Sequence, residues 1–218
     1  MKLTINDKEV LRYLGYKGAQ ADERVHSLIT EMIELFSENV VPKSVYGLWD
    51  CQIDSSTISF GGISVKSKNL REHLKDCRHA VLLAATLGTE ADTLIRRFSI
   101  QDMGKAVIAQ AVCAAMIEAY CDFIADEIEC EIFQKTEIDG LYPTPRFSPG
   151  YGDFDISHQK DILNILNCSR IALTLTDGYM LIPSKSVTAV IGFSKEKKHV
   201  TQKCESCAVS SCDFRKAV

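Results

Sequence analysis

Residues 104–133 read GKAVIAQAVCAAMIEAYCDFIADEIECEIF and contain no proline. Apolar side chains recur along this segment every three or four residues, which is the period of one buried helical face. They are Ile117, Tyr120, Ile124, Ile128 and Ile132. Asp102 stands where an N-cap is expected. The segment therefore predicts one long helix in the core of the fold.

A second face of this helix is lined by small residues around a single carboxylate. Its members are Ala111, Ala114, Ala115, Glu118, Cys121 and Ala125. Small side chains let another backbone or a ligand approach closely, and a buried Glu118 would need a cationic or hydrogen-bonding partner. A helix–helix contact with Glu118 at its edge explains the same pattern, so both interpretations stay open here.

The remaining segments predict an α+β domain. Helices are predicted over residues 6–16, 22–40, 69–77, 89–98 and 157–167, and Ser157 caps the last of them. Strand-like runs lie at 44–66, which form a hairpin or small meander, and at 79–88, 170–176, 179–183 and 186–193. Helices and antiparallel strands are segregated, which favours long helices packed with a twisted antiparallel sheet over a doubly wound sheet. We expect one domain over residues 1–198, including a helical and β-hairpin part at 1–77, and a cysteine-containing tail at 199–218.

Composition and charge exclude several functional classes. The chain has 218 residues, of which 46% are hydrophobic and 25% charged, enough for one sizeable core. A net charge of -4 gives no basic face for nucleic acid. The first residues lack the apolar segment of a signal peptide, and the longest uncharged stretches are too short to span a bilayer. We therefore expect a cytoplasmic protein that binds neither membranes nor nucleic acid.

A stiff loop, PTPRFSPGYGDFD at residues 143–155, follows the long helix; we call it the proline loop. Its three prolines restrict the backbone, while Gly150 and Gly152 permit conformations that a side chain would forbid. Arg146 suits a bidentate grip on a carboxylate or phosphate, and Tyr151 offers a flat face and a hydroxyl. A purely structural turn explains the prolines equally well.

The C-terminal tail contains Cys204, Cys207 and Cys212 in a C-x2-C-x4-C pattern. Two thiolates at this spacing can reach one metal, as in zinc and iron–sulfur sites, and His199 is a candidate fourth ligand. A redox pair or a tail without a fixed role are the other interpretations. Among the remaining cysteines, Cys77, Cys113, Cys121, Cys130 and Cys168 are predicted to be buried, inert thiols. The chain lacks the common phosphate-binding glycine motifs.

Several of these segments resemble the activation (reactivation) domain of cobalamin-dependent methionine synthase. RFSPGYGDFDISHQKDI is similar to that domain's R-P-A-P-G-Y segment, which is followed by a histidine and a helix. AVLLAATLGTEADTLIRRF, AMIEAYCDFIADEI and MLIPSKSVTAVIGFS follow the order of the domain's other elements. The resemblance covers residues 78–195, and a chain of this size resembles the separate activation subunits found beside a shortened methionine synthase.

The resemblance implies a binding site for S-adenosylmethionine. In the family the proline loop binds this ligand, so Arg146 would hold the methionine carboxylate, Ser148, Gly150 and Tyr151 would line the site, and Glu118 would lie close to the ligand. The sequence departs from the family at two points. The stretch KEKKHVTQ lacks the family's pair of tyrosines, and the second acidic residue before the arginine has no clean counterpart, although Glu137 and Asp139 lie near.

The implied role is repair of a partner's cofactor, as one component of a methyltransferase system. One electron, from a flavodoxin-type or ferredoxin-type donor, would reduce cobalt(II) to cobalt(I), which takes the methyl group of S-adenosylmethionine. The cobalamin would be carried by methionine synthase. The alternatives are another corrinoid methyltransferase as the partner, or a non-catalytic, metal-binding interaction module that uses the cysteine tail.

Overall fold

The computed structural model describes residues 3–16, 21–135 and 141–195. Its helices are α1 (Asp7–Tyr13), α2 (Glu23–Asn39), α3 (Lys68–Leu74), α4 (Thr89–Gln101), α5 (Met103–Lys135) and α6 (His158–Ile165), with a 3-10 helix at Cys168–Ile171. Its strands are β1 (Lys43–Asp50), β2 (Gln52–Ile53), β3 (Ile58–Phe60), β4 (Ile63–Val65), β5 (Cys77–Thr86), β6 (Tyr142–Pro143), β7 (Thr174–Leu175), β8 (Leu181–Ile182) and β9 (Ser186–Ser194).

The main sheet has four strands in the order β1-β5-β9-β6, and each neighbouring pair is antiparallel. Strands β2, β3 and β4 form a separate small sheet, and β7 and β8 form a two-stranded one. Helices lie on both sides of the main sheet. The predicted α+β class, with long helices packed against an antiparallel sheet, is confirmed.

Strand β5 is buried on both faces because it separates two hydrophobic cores. Val81, Leu83 and Ala85 point into the core shared with α2, α4 and α5. The intervening residues, Ala80, Leu82 and Ala84, point into the core shared with α3, α6 and the small sheet. This alternation is the two-residue period of a strand, so the run HAVLLAATLG reads as continuously apolar.

Helix α5 extends through the first of these cores. The Asp102 carboxylate accepts a hydrogen bond from the Lys105 amide at 3.1 Å, as the predicted cap requires. All members of the predicted apolar stripe, from Ile117 to Ile132, are less than a tenth exposed. By length and composition alone α5 could cross a membrane, but 61% of its most apolar window is buried against the rest of the protein, as in the core helix of a globular domain.

Three local predictions are corrected. Residues 43–50 do not join the small meander but pair along their whole length with β5, whose partner residues lie 29 to 43 positions later in the chain. The predicted strand at 170–176 is reduced to Thr174–Leu175, because Cys168–Ile171 forms a 3-10 turn. The Ser157 side chain makes no capping bond to α6. Instead, the Ser157 amide donates to the Asp155 carboxylate at 2.8 Å.

Candidate functional site

The proline loop lies along β9 as an irregular edge strand. Tyr142 pairs with Ser194 and Pro143 with Phe193, and the Thr144 amide continues this register by donating to the Gly192 carbonyl at 2.8 Å. Phe147, however, exchanges two backbone bonds with Val190, at 2.9 and 2.8 Å. Between Thr144 and Phe147 the loop therefore contains one residue more than β9 does. This is the geometry of a β-bulge, which redirects side chains at a sheet edge.

Arg146 and Phe147, at the end of the bulge, lie on opposite faces of the sheet, as consecutive residues of a strand do. Phe147 packs with the core of α3 and α6. Arg146 reaches the other face, where its Nη2 lies 2.6 Å from Glu118 Oε2 and its Nη1 lies 2.5 Å from Asp122 Oδ1, both on α5. The Arg146 side chain is only 12% exposed, whereas those of Glu118 and Asp122 are 44% and 73% exposed.

Electrostatics keep Arg146 charged in this setting. Burial would lower its pKa, but Cys121, Glu118 and Asp122 more than offset that effect, and the pKa of Arg146 is raised. We call Arg146, Glu118 and Asp122 the Arg146 cluster. One guanidinium between two carboxylates gives this cluster one net negative charge. The partner predicted for Glu118 is therefore present, and it is the arginine of the proline loop.

The first half of the proline loop is held by α3. His73 Nε2 lies 2.8 Å from the Pro145 carbonyl oxygen and 3.1 Å from Thr144 Oγ1, and the His73 ring packs on Phe147 with 4.9 Å between centroids. Thr144 Oγ1 also accepts the Gly192 amide at 2.9 Å. These contacts fix the backbone immediately before Arg146 and reduce the conformational freedom of its side chain.

The second half of the loop is fixed by Asp153, which caps α3. Its carboxylate accepts bonds from Ser67 Oγ at 2.6 Å and from the amides of Lys68 and Asn69 at 2.7 and 3.0 Å. The Ser67 hydroxyl is the largest cause of the lowered pKa of Asp153. Gly152 has φ +56°, and a Cβ there would lie 2.6 Å from Asn69 Oδ1, so the close approach to α3 requires glycine.

Two tyrosines lie in the field of Glu118. Tyr151, about half exposed, packs edge-on against Phe147 with 6.2 Å between ring centroids. Burial and then the Glu118 charge raise the pKa of Tyr151, against a lowering by Arg146. Tyr13 comes from α1, which packs against α5. Burial and then the Glu118 charge raise the pKa of Tyr13 as well.

The other predicted site residues lie in the same loop. The Ser148 carbonyl accepts the Tyr151 amide at 3.1 Å, and the Gly150 amide donates to the Phe154 carbonyl at 2.7 Å. Gly150 has φ +94°, the positive value that the sequence analysis expected of a glycine. The structure thus joins Glu118 to Arg146 and places Tyr151 in the field of both, while Ser148 and Gly150 belong to the backbone turn that carries Tyr151.

Sequence reasoning missed Asp122 and Tyr13. Asp122 follows Glu118 by one helical turn, so the spacing of two acids on one face was an available signal. No sequence signal marked Tyr13, because its position relative to α5 depends on how α1 packs. On the small-residue face of α5, Ala111, Ala115 and Cys121 are in fact core residues, so the helix-packing interpretation holds for them.

The tail lies outside the described residues, as do Glu137, Asp139, His199 and the stretch 196–202. The zinc or iron–sulfur site at Cys204, Cys207 and Cys212 therefore stays a prediction. Within the described ranges, no cluster of three or more His, Cys, Asp or Glu residues could hold a metal ion. Of the five predicted inert thiols, Cys130 alone is exposed and the other four are buried.

Two surface clefts lie away from the Arg146 cluster. One, of about 360 Å³, runs between α6 and the segment that leads into β7 and is lined by residues such as Asn164, Asn167 and Leu173. The other, of about 340 Å³, lies over the small sheet beside Gly61 and Gly62. Neither gathers convergent charged groups as the Arg146 cluster does, so the cluster remains the candidate site.

Comparison with known proteins identifies the family of this chain. The family model described as vitamin B12 dependent methionine synthase, activation domain, matches residues 63–206, about two thirds of the chain. The chain belongs to this family. The resemblance inferred from the sequence is thereby confirmed, and the match is longer than the expected residues 78–195: it starts at β4 and ends at residue 206, beyond Cys204. Helices α1 and α2 and strands β1 to β3 of this activation domain precede the matched segment.

A solved structure extends the likeness to most of the chain. The crystal structure of the MetH reactivation domain bound to AdoHcy has a TM-score of 0.65, covering 91% of this chain and 81% of that one at 15% sequence identity. The two therefore share a fold that includes elements outside the family match. No curated protein matches the chain.

Proposed function

We propose that this activation domain binds S-adenosylmethionine between α5 and the proline loop and supports reductive methylation of cobalamin on a separate cobalamin-dependent methionine synthase. The observation that carries the proposal is Arg146. It is a largely buried guanidinium that the bulge aims at Glu118 and Asp122, in a chain of the activation-domain family. The AdoHcy bound to the MetH reactivation domain supports a ligand of the same chemical type.

The charges of the cluster suit this ligand. S-adenosylmethionine carries a carboxylate, an ammonium and a sulfonium group, and hence one net positive charge, against one net negative charge on the cluster. The ligand carboxylate would replace Asp122 at Arg146 Nη1, because the Asp122 side chain is 73% exposed and its release to water costs little. Glu118 would then face the ammonium and sulfonium groups, and the loop backbone at Ser148 and Gly150 would line the site.

The contribution of this chain to the reaction is positioning. The partner supplies the cobalamin, whose chemistry is to accept an electron, from a flavodoxin-type or ferredoxin-type donor, and then the methyl group. Holding the methyl group in line with its acceptor is worth at most about 7–11 kcal/mol for ideal alignment. The proposal assigns no general acid or base. A different corrinoid methyltransferase as the partner remains the second candidate, and only a partner screen separates the two.

Calorimetric titration of the purified protein with S-adenosylmethionine tests the proposal. Arg146→Ala removes a charge-assisted bond to the ligand carboxylate, so we expect a loss of about 2–3 kcal/mol, roughly thirty- to over a hundredfold in affinity. Arg97→Ala, at an exposed arginine of α4, is the matched control and should bind normally. Absence of binding by the intact chain, or equal binding by Arg146→Ala, would contradict the proposed site.

A further inference from the structure

The two edges of the main sheet differ in what lies beside them. At one edge, β6 and the first half of the proline loop lie along β9. At the other edge lies β1, which pairs along its whole length with β5. Among the residues that the structure describes, β5 is the only strand paired with β1. The outer side of β1 is therefore an open edge of the sheet.

The register shows which backbone groups of β1 point outward. The Cys51 amide, which continues the register of β1, donates to the Arg78 carbonyl at 2.8 Å. Hydrogen-bonded pairs alternate along an antiparallel ladder, so the odd-numbered residues of β1 bond to β5 and the even-numbered ones direct their N–H and C=O groups away from it. The outward residues are Ser44, Tyr46, Leu48 and Asp50. Within the described part of the chain, their amides and carbonyls have no backbone partner.

The sequence of this edge does not discourage pairing with another strand. Natural edge strands are usually protected by charged residues, proline or a bulge. The middle of β1 is instead six consecutive uncharged residues, SVYGLW at 44–49, and its register with β5 has no shift. No residue of β1 is buried, and Tyr46 is 37% exposed. Such an edge is a template for a further strand.

The order of its side chains makes β1 complementary to itself. Outward residues must face outward residues, so two antiparallel copies can be centred on Tyr46, Gly47 or Leu48. Centred on Gly47, Val45 lies opposite Trp49 of the second copy. Tyr46 then lies opposite Leu48 of the second copy, so every apolar side chain of the strand faces another.

The other two registers lose these contacts. Centred on Tyr46, Trp49 would face Lys43 of the second copy. Centred on Leu48, Tyr46 would face Asp50. Antiparallel pairing also brings the Lys43 end of each strand to the Asp50 end of the other, so unlike charges meet at both ends of the paired strands. The glycine-centred register is therefore the one that the sequence of β1 favours.

We propose that this protein forms a two-fold symmetric dimer in which β1 pairs antiparallel with β1 of a second copy, centred on Gly47. The pairing joins two four-stranded sheets into one and gives every outward amide and carbonyl of β1 a partner. A Cβ at Gly47 would lie 2.9 Å from Trp49 Cζ3, so the Trp49 ring covers Gly47 beside the two-fold axis. The proline loops lie at the two far edges of the joined sheet, so both proposed ligand sites stay open.

Analytical ultracentrifugation over the micromolar range tests the association. We expect the mass to rise with concentration from one chain toward two, and the emission of Trp49, the only tryptophan, to shift with it. Tyr46→Lys keeps a partner for Glu131 but loses both tyrosine–leucine contacts, so the dissociation constant should rise by about two- to thirtyfold. Tyr142→Lys, at a tyrosine of similar exposure on β6, is the matched control and should leave it unchanged. Thermal unfolding checks that both variants fold.

Amide hydrogen exchange, followed by NMR, tests the register in the unmodified chain. The amides of Tyr46 and Leu48 should be protected in the dimer and exposed on dilution, whereas those of Val45 and Gly47, bonded to β5, should stay protected. A chain that is monomeric at every concentration overturns the inference. A dimer in which the Tyr46 and Leu48 amides exchange freely, or one that only Tyr142→Lys weakens, overturns it as well. Protection of these amides in a monomer would also contradict it, because another segment of the same chain would then cover the edge.

Discussion

At the scale of single residues, Asp153 joins the proline loop to the start of α3. Asp153→Asn removes the negative charge that accepts the Ser67 hydroxyl and two amides of the first turn. Asparagine keeps one acceptor oxygen, so the loss is that of a negative charge at a helix N-terminus, about 0.3–1 kcal/mol of unfolding free energy. We expect that loss in urea denaturation at pH 7, with Asp177→Asn, an exposed aspartate of the β7–β8 turn, as the unaffected control.

The same cap gives a pH dependence. The pKa of Asp153 is lowered in the folded protein, so its contribution is present above the pKa of the unfolded chain and is lost as the pH falls through the folded value. The difference in stability between the wild type and Asp153→Asn should therefore shrink from pH 7 to pH 3. A difference that persists undiminished at pH 3 would mean that the carboxylate charge is not its source.

Single residues also show how far the sequence predicted the site. Glu118 stood out because a carboxylate interrupted a small-residue face, and Arg146 because prolines and glycines surrounded it. The family resemblance placed both residues near one ligand but predicted no contact between them, and the structure shows that they form an ion pair. Asp122 and Tyr13 were missed, since nothing local distinguishes an exposed acid on a helix, or a tyrosine near a chain end, from an ordinary surface residue.

At the scale of elements, Gly192 sets the distance between β9 and α3. A Cβ at this position would lie 2.4 Å from Leu74 Cδ2 and 2.5 Å from Cys77 Sγ, distances that require neighbouring atoms to shift. We expect Gly192→Ala to lower the unfolding free energy by about 1–3 kcal/mol, as overpacked cores do. Denaturant unfolding measures the change.

Gly178→Ala is the matched control for this substitution. A Cβ at Gly178 meets only Thr176 Oγ1, at 3.9 Å, so the change should be nearly neutral. Equal stability of the Gly192→Ala variant and the wild type would show that α3 can move away from the sheet. In that case, α3 could not fix the proline loop as tightly as its contacts indicate.

The elements differ in how well their own sequence predicted them. Helix α5 and strand β5 were predicted because their periodicity is strong and local. The pairing of β1 with β5 was not, because it joins residues 29 to 43 positions apart and depends on which edge of the sheet is available. The 3-10 turn at Cys168–Ile171 was read as strand, since a short apolar run does not distinguish the two.

At the scale of the whole molecule, every residue assigned to the candidate site lies within the described part of residues 3–195. We therefore expect a chain shortened to residues 1–198 to fold and to bind S-adenosylmethionine as the full chain does. Calorimetry and thermal unfolding of the two forms provide the comparison. A shortened chain that folds but no longer binds would contradict the proposed domain boundary.

The shortened chain also isolates the predicted metal site. If Cys204, Cys207 and Cys212 bind zinc or an iron–sulfur cluster, metal analysis of anaerobically purified protein should find the metal in the full chain and not in the shortened one. Cys204→Ser should lower the metal content, and Cys130→Ser, at an exposed cysteine of α5, should not. Full-length protein without bound metal, at stoichiometric level, would rule out this prediction.

The extra residue in the proline loop makes the length of that loop as important as its composition. Arg146 faces α5 and Phe147 faces the opposite core because the count between Thr144 and Phe147 exceeds that of β9 by one. If the register of Thr144 with Gly192 continued through Phe147, Arg146 would lie opposite Val190 and face the core of α3 and α6, and the Phe147 ring would turn toward the acids. Among natural variants of this chain, insertions or deletions that shift this register should be rarer across these four positions than replacements.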